Sequence, residues 1–208
     1  MRMVFTGSTY NGMHLNHTWK NHKGYYKEIL VWIKLLMEDM VNRHKIVYFV
    51  RFDLHYPADS TLRYPDNNDL VSRFSETLML YCKRHGYDPK YLWAREVSST
   101  GLIHYHFILL LDGRLINNAN TLIVRYATEL WRKYLNIEDG GGLVHLCKSK
   151  ENDWRYDDQY GGVIINKKDR NFQPIYEKCH QVASYLAKRY SKGSSPAYVN
   201  EFGHSKLS

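Results

Sequence analysis

The chain has 208 residues, with 29 Lys and Arg against 21 Asp and Glu, a formal charge of +8 and 14% aromatic residues. That length suits one domain with a substantial core, and the aromatic content argues against disorder. No apolar run approaches the ~20 residues needed to span a bilayer.

The first 25 or so residues are polar, contain His14, His17 and His22, and show no period, so they read as an arm. Residues 25–44 form the first helix, with Ile29, Trp32, Ile33, Leu36 and Met40 on one stripe. The β-branched and aromatic segment 45–54 (KIVYFVRFDL) reads as a strand, followed by a turn-rich loop with Pro57 and Pro65. A second helix spans 68–86, with Leu70, Phe74, Leu78 and Tyr81 in phase and Gly86 as its stop. Strands at 91–98 and 102–111 flank Ser99-Thr100-Gly101, a short hairpin loop with glycine where positive φ is needed. A third helix covers 117–135, with Leu122, Tyr126, Leu130 and Trp131 on one face. After Gly140-Gly141-Gly142 comes a short strand at 143–147, then an irregular charged stretch at 148–162. The last helix runs from near Ile175 to about Tyr190, and the tail beyond Gly193 reads as loose. The order predicts an α+β fold. A split βαβ antiparallel sheet of about four to five strands would carry helices on one face. The divisions are 1–44 (arm and helix), 45–192 (the main domain) and 193–208 (tail).

His104 and His106 are two apart in a strand and leave the same face, while Ile103, Tyr105 and Phe107 leave the other. Burying two imidazoles without partners would be costly, and two neutral imidazoles at this spacing can share a divalent metal. If the hairpin loop has three residues, Glu96 lies opposite His104, with Cβ atoms about 5 Å apart. A four-residue loop would turn Glu96 to the other face. Two histidines and a carboxylate with open positions suit Mg²⁺ or Mn²⁺ acting on phosphate. The ordinary alternative is that the histidines hydrogen-bond to buried neighbours while Glu96 pairs with a Lys or Arg. A histidine-triad hydrolase is excluded, because the next same-face position is Ile108.

On the last helix, Tyr185 and Lys188 share a face, with Arg189 at the next contact position. A tyrosine can act as a nucleophile if its phenol, with a pKa of about 10, is activated. Lys188 could hold a phosphate or offset charge in the transition state. Equally, Tyr185 could pack on the core beside Val182 and Leu186 with Lys188 solvated, as would be ordinary in a chain with 18 tyrosines. Tyr190 is a second candidate nucleophile on another face.

These residues resemble the HUH endonuclease superfamily, and within it the rolling-circle replication initiators of the inovirus (filamentous-phage) replication-protein family found in phages and prophages. The likeness covers about residues 45–192 and is most specific at Gly101-Leu-Ile-His-Tyr-His106 and Tyr185-Leu-Ala-Lys188. It implies a metal held by Glu96, His104 and His106, and Tyr185 as the nucleophile assisted by Lys188. Asp53 lies in the strand where such proteins carry their first motif. The implied activity is nicking and rejoining of single-stranded or hairpin origin DNA through a 5′-phosphotyrosine. Some phage initiators carry a second tyrosine where Arg189 stands here, so the resemblance implies one nucleophile, with Tyr190 keeping a two-tyrosine scheme open.

No Walker A sequence is present, so strand separation would fall to a host helicase, and extension to a host polymerase. Basic charge interleaved with aromatics is compatible with nucleic acid. The N-terminus lacks the apolar core of a secretory signal, so a cytoplasmic location in a bacterial cell, away from membranes, is expected. Cys82, Cys147 and Cys179 lack paired spacing and are expected as reduced thiols rather than a zinc ribbon or disulfides. Alternative functions are an HUH-type transposase, a prophage relic that binds without cutting, or a metal-independent nucleic-acid-binding module.

Overall fold

The structure, a computed structural model, describes residues 3–17, 23–58, 64–116, 118–139, 141–147, 161–190, 192–193 and 195–208. His22 and most of the irregular stretch expected at 148–162 lie outside these residues. The expected arm contains four two-residue strands, β1 (Val4–Phe5), β2 (Thr9–Tyr10), β3 (Met13–His14) and β4 (Tyr25–Tyr26), paired antiparallel as β1–β4 and β2–β3. Then follow α1 (Lys27–Arg43), β5 (Ile46–His55), α2 (Asp69–Arg84), β6 (Lys90–Val97) and β7 (Ile103–Asp112). The third expected helix winds as a π-helix over Asn120–Ala127 before becoming α3 (Thr128–Leu135). β8 (Val144–Leu146), β9 (Val163–Asn166), α4 (Phe172–Ser184), a 3₁₀ turn (Tyr185–Ala187) and β10 (Phe202–His204) complete the described elements.

The fold is α+β. Its main sheet runs β10-β6-β7-β5-β8, with β9 also paired to β5, all antiparallel. The segment from β5 to β8 has the order expected of a split βαβ unit, and β9 and β10 raise the sheet to six strands. Alternation along the strands divides the apolar side chains between two cores. Phe52, Leu54, Trp93, Tyr105, Phe107 and Leu109 face α2, the π-helix and α3. Val47, Phe49, Leu92, Ala94, Ile108 and Leu110 face α1 and α4. Helices on a single face were expected; they cover both, because the outer helices α1 and α4 dock on the side that the split βαβ helices leave open. Each fully buried Leu, Ile or Phe in these layers contributes about 1.5–3 kcal/mol.

The tail, expected to be loose, is tied to the sheet. β10 pairs with β6, the Arg95 amide donates to Glu201 O at 2.8 Å, and Lys90 Nζ donates to Lys206 O at 2.6 Å. Among the described residues, no helix is long and apolar enough to cross a membrane.

Candidate metal and tyrosine site

The site begins with the hairpin between β6 and β7. Gly101 has φ +80°, its amide donates to Ser98 O, and the Ser98 amide donates to Leu102 O. The three-residue loop therefore holds, pairing Val97 with Ile103 and Glu96 with His104. A residue with a Cβ at Gly101 would meet open space, so the requirement there is for the left-handed backbone alone.

Strand parity then assembles the polar cluster on the α1/α4 face. Across the sheet, His106 pairs with Asp53 on β5, and Asp53 pairs with His145 on β8; one step along, Glu96 pairs with His104 and His104 with His55. Glu96 Oε2 lies 3.6 Å from His104 Nε2 and 3.2 Å from His106 Nε2. The His106 Nδ1–H donates to Asp53 Oδ1 at 2.6 Å, since an ionised carboxylate can only accept. His106 Nε2 is buried, lies 3.2 Å from Glu96 Oε2 and has no hydrogen-bond partner of good geometry among the described residues. A ring with one nitrogen held by a carboxylate and the other turned to the open cluster is placed as a metal-ligating histidine is, once a cation displaces any proton on Nε2. The donor atoms of Glu96, His104 and His106 lie within 4.8 Å of one another. The residues present therefore fit a divalent cation. Tyr105, between the two histidines, faces the opposite core, its hydroxyl donating to Asn67 O.

Tyr185 faces this cluster. Its ring stands perpendicular to that of His106, with centroids 5.0 Å apart. The Arg51 guanidinium lies 4.1 Å and Lys188 Nζ 4.0 Å from the Tyr185 ring centroid, within cation–π range. Helix α4 stops at Ser184, earlier than expected; the chain tightens through the 3₁₀ turn and is extended at Lys188, with ψ 135°. Lys188 forms an antiparallel bridge with Tyr25, and the Arg189 amide donates to Gly24 O, so the lead-in strands fix the turn. The Arg189 side chain lines a separate shallow groove with Tyr26, Gly193, Pro196 and Glu201, and Tyr190 is 55% exposed. Of the expected site residues, the structure thus gathers Glu96, His104, His106, Asp53, Tyr185 and Lys188, and places Arg189 and Tyr190 at the surface.

Burial and charge set the protonation of these groups. Burial works against the Glu96 carboxylate, but the Lys192 ammonium and both histidines outweigh it and hold Glu96 far below the ordinary range. Burial likewise opposes ionised Asp53, yet the His106 hydrogen bond and charge pull it down to about 2. For His106, burial favours the neutral ring, and the Asp53 and Glu96 contacts reverse the balance upward. Tyr185 is pushed up to about 12 by burial, then by the Glu96 charge, against the lowering influence of Arg51. Lys188 is drawn down to about 7 by burial and then by Arg51.

Sequence reasoning missed Arg51, His55 and Lys192. Arg51 and His55 flank Asp53 at alternate positions of one strand, so parity alone could have placed them on its face. The rings of His55 and His104 stack, with centroids 5.5 Å apart. Lys192, whose side chain is fully buried, donates to a Glu96 oxygen and, at 2.9 Å, to Lys188 O. Nothing local marks it, because helical numbering fails once the chain extends at Lys188.

Fold and site together define an α+β domain with a carboxylate–imidazole cluster on its sheet and a tyrosine turned toward it. The chain belongs to the family described as the YagK/YfjJ C-terminal domain, whose profile matches residues 8–205. It is similar to the uncharacterized protein YfjJ of Escherichia coli (strain K12), 26% identical over 192 residues covering 77% of this chain and 85% of that protein. The uncharacterized protein YagK of the same strain is 26% identical over 189 residues, covering 77% of this chain and 84% of that protein. No solved structure matches the chain.

Proposed function

We propose that the domain nicks and rejoins single-stranded DNA through a 5′-phosphotyrosine, as a rolling-circle replication initiator does. The observation that carries the reading is the placement of Tyr185 against the Glu96, His104 and His106 cluster, its ring 5.0 Å from that of His106. Mg²⁺ or Mn²⁺ held by Glu96, His104 and His106 would polarise the scissile phosphate as a Lewis acid. Tyr185 Oη attacks phosphorus; an Oη–P bond forms as the P–O3′ bond breaks, and the phenol proton ends on the released 3′-hydroxyl. The phosphotyrosine remains a phosphodiester, so the reverse attack rejoins the strand without ATP. Arg51 and Lys188, both on the ring of Tyr185, offset negative charge as it develops on the phenol oxygen. Lys188, near neutrality in the free protein, becomes fully charged when a phosphate arrives beside it and then holds that phosphate. The excess of 29 cationic over 21 acidic side chains supports attraction to a DNA backbone, supplied as single-stranded or hairpin origin DNA.

The test is incubation with a labelled pool of random single strands and hairpins in Mn²⁺, followed by a denaturing gel. A covalent protein–DNA adduct is expected, absent in Tyr185→Phe while strand binding persists. If the wild-type protein forms no adduct with any member of the pool, the nicking proposal fails and a binding-only module is left.

A further inference from the structure

We propose a second metal site, of the zinc class, formed by Asp53, His145 and Cys147 where β8 lies along β5. It shares no ligand with the Glu96, His104 and His106 cluster and does not depend on the nicking reading.

The sheet register builds it. Asp53 is the direct cross-strand partner of His145, and Cys147 lies two residues beyond His145, on the same face. The Cys147 amide donates to Arg51 O at 3.0 Å, which carries the β5–β8 ladder one step past Leu146 and fixes where the thiol emerges. A carboxylate oxygen of Asp53, a ring nitrogen of His145 and Cys147 Sγ all lie within 4.8 Å of one another. Three unlike donors on two hydrogen-bonded strands converge without any rearrangement of the backbone.

The donor types choose the ion. A thiolate is a soft ligand that favours Zn²⁺ over Mg²⁺, whereas the nitrogen and oxygen set of the first cluster suits harder ions. A carboxylate and a thiolate together supply two negative charges for a divalent ion, and three protein ligands leave a fourth position for water. On binding, the Cys147 S–H bond breaks, its proton passes to the buffer, and an S–Zn bond replaces it. Arg51, 3.9 Å from Asp53, opposes a cation here, but its guanidinium is laid against the Tyr185 ring. His145 is exposed, so an ion can enter from solvent.

The consequence is mechanical. β8 is three residues long and pairs with β5 only from Phe52 to Leu54. An ion across Asp53, His145 and Cys147 clamps that short strand and also anchors the carboxylate that orients His106.

Co²⁺, a spectroscopic substitute for Zn²⁺, tests the site in the full chain under reducing conditions. A thiolate-to-cobalt charge-transfer band in the near ultraviolet is expected in the wild type. Cys147→Ser should abolish it, and His145→Ala should weaken Co²⁺ binding by about tenfold or more. His104→Ala, which damages only the other cluster, should keep the band. Cys82 and Cys179 are buried, 0% and 1% exposed, and should contribute nothing. No band in the wild type, or a band surviving Cys147→Ser, overturns the proposal. Neither result bears on adduct formation with DNA, which Tyr185→Phe tests separately.

Discussion

Glu96 divides its two oxygens between different partners: Oε1 accepts from the Lys192 ammonium, and Oε2 faces both imidazoles. The side chain of Lys192 is 0% exposed and that of Glu96 5% exposed, so each charge depends on the other being present. Removing one member of such a pair strands the other, at a cost of roughly 3–5 kcal/mol, whereas an exposed pair is worth well under 1 kcal/mol. Lys192→Met is therefore expected to lower the unfolding free energy of the metal-free protein by about 3 kcal/mol in a urea titration. Mn²⁺ should restore part of that loss, because a cation at the cluster again compensates Glu96. Lys34→Met, which breaks a half-exposed helical pair with Glu38, is the comparison and should change stability by less than about 1 kcal/mol. Equal losses in the two variants would contradict the role given to Lys192.

Helices α1 and α4 pack together over the face that carries the site, and His180, buried on α4, lies near Lys34 and Glu38 of α1. This ring is 0% exposed, and neither nitrogen has a hydrogen-bond partner among the described residues. Burial, then the nearby Lys34 charge, lowers its pKa from 6.5 to about 4, with Glu38 acting weakly in the other direction. Above pH 6.5 the ring is neutral both folded and unfolded, and His180 adds no pH dependence. Between 6.5 and 4 only the unfolded chain takes up the proton, so stability falls as pH falls, by a total of about 3 kcal/mol. In urea unfolding at pH 7 and pH 4.5, His180→Leu should lose less stability on acidification than the wild type; equal losses would show that His180 is not the titrating group. The same helices mark a boundary of what the sequence reveals. The stripes of α1 and α4 announce a buried face, but periodicity in one helix does not say which side of a sheet it will cover. The helix end before Tyr185 was equally hidden, since the lead-in strands and Gly24 determine where the chain leaves the α-helix.

At the scale of the molecule, the legible part of the site was the part built by one hairpin. Glu96, His104 and His106 follow from period-two alternation and one glycine turn, whereas Asp53 needed the β5–β7 register and Lys192 the complete course of the chain. The three-residue strand β10 is too short to show a pattern, yet it connects the tail to the chemistry. Glu201, just before β10, accepts from the Gly193 amide, next to the Lys192 that holds Glu96. Arg95, 2% exposed, donates to Ser195 Oγ at 2.6 Å and to Asp66, so the tail also closes over the hairpin. Gly203 makes this docking feasible, because a Cβ there would lie 2.6 Å from the Trp93 ring. Gly203→Val is therefore expected to cost roughly 1–3 kcal/mol and to lift β10 from β6. Hydrogen exchange should report the change locally. The Arg95 and Ser205 amides, which donate to Glu201 O and Tyr91 O, should exchange faster, while amides within β5 and β7 keep their protection. Uniform acceleration through the whole sheet would mean instead that β10 unfolds only together with the core, making the tail an integral strand rather than a latch behind Lys192.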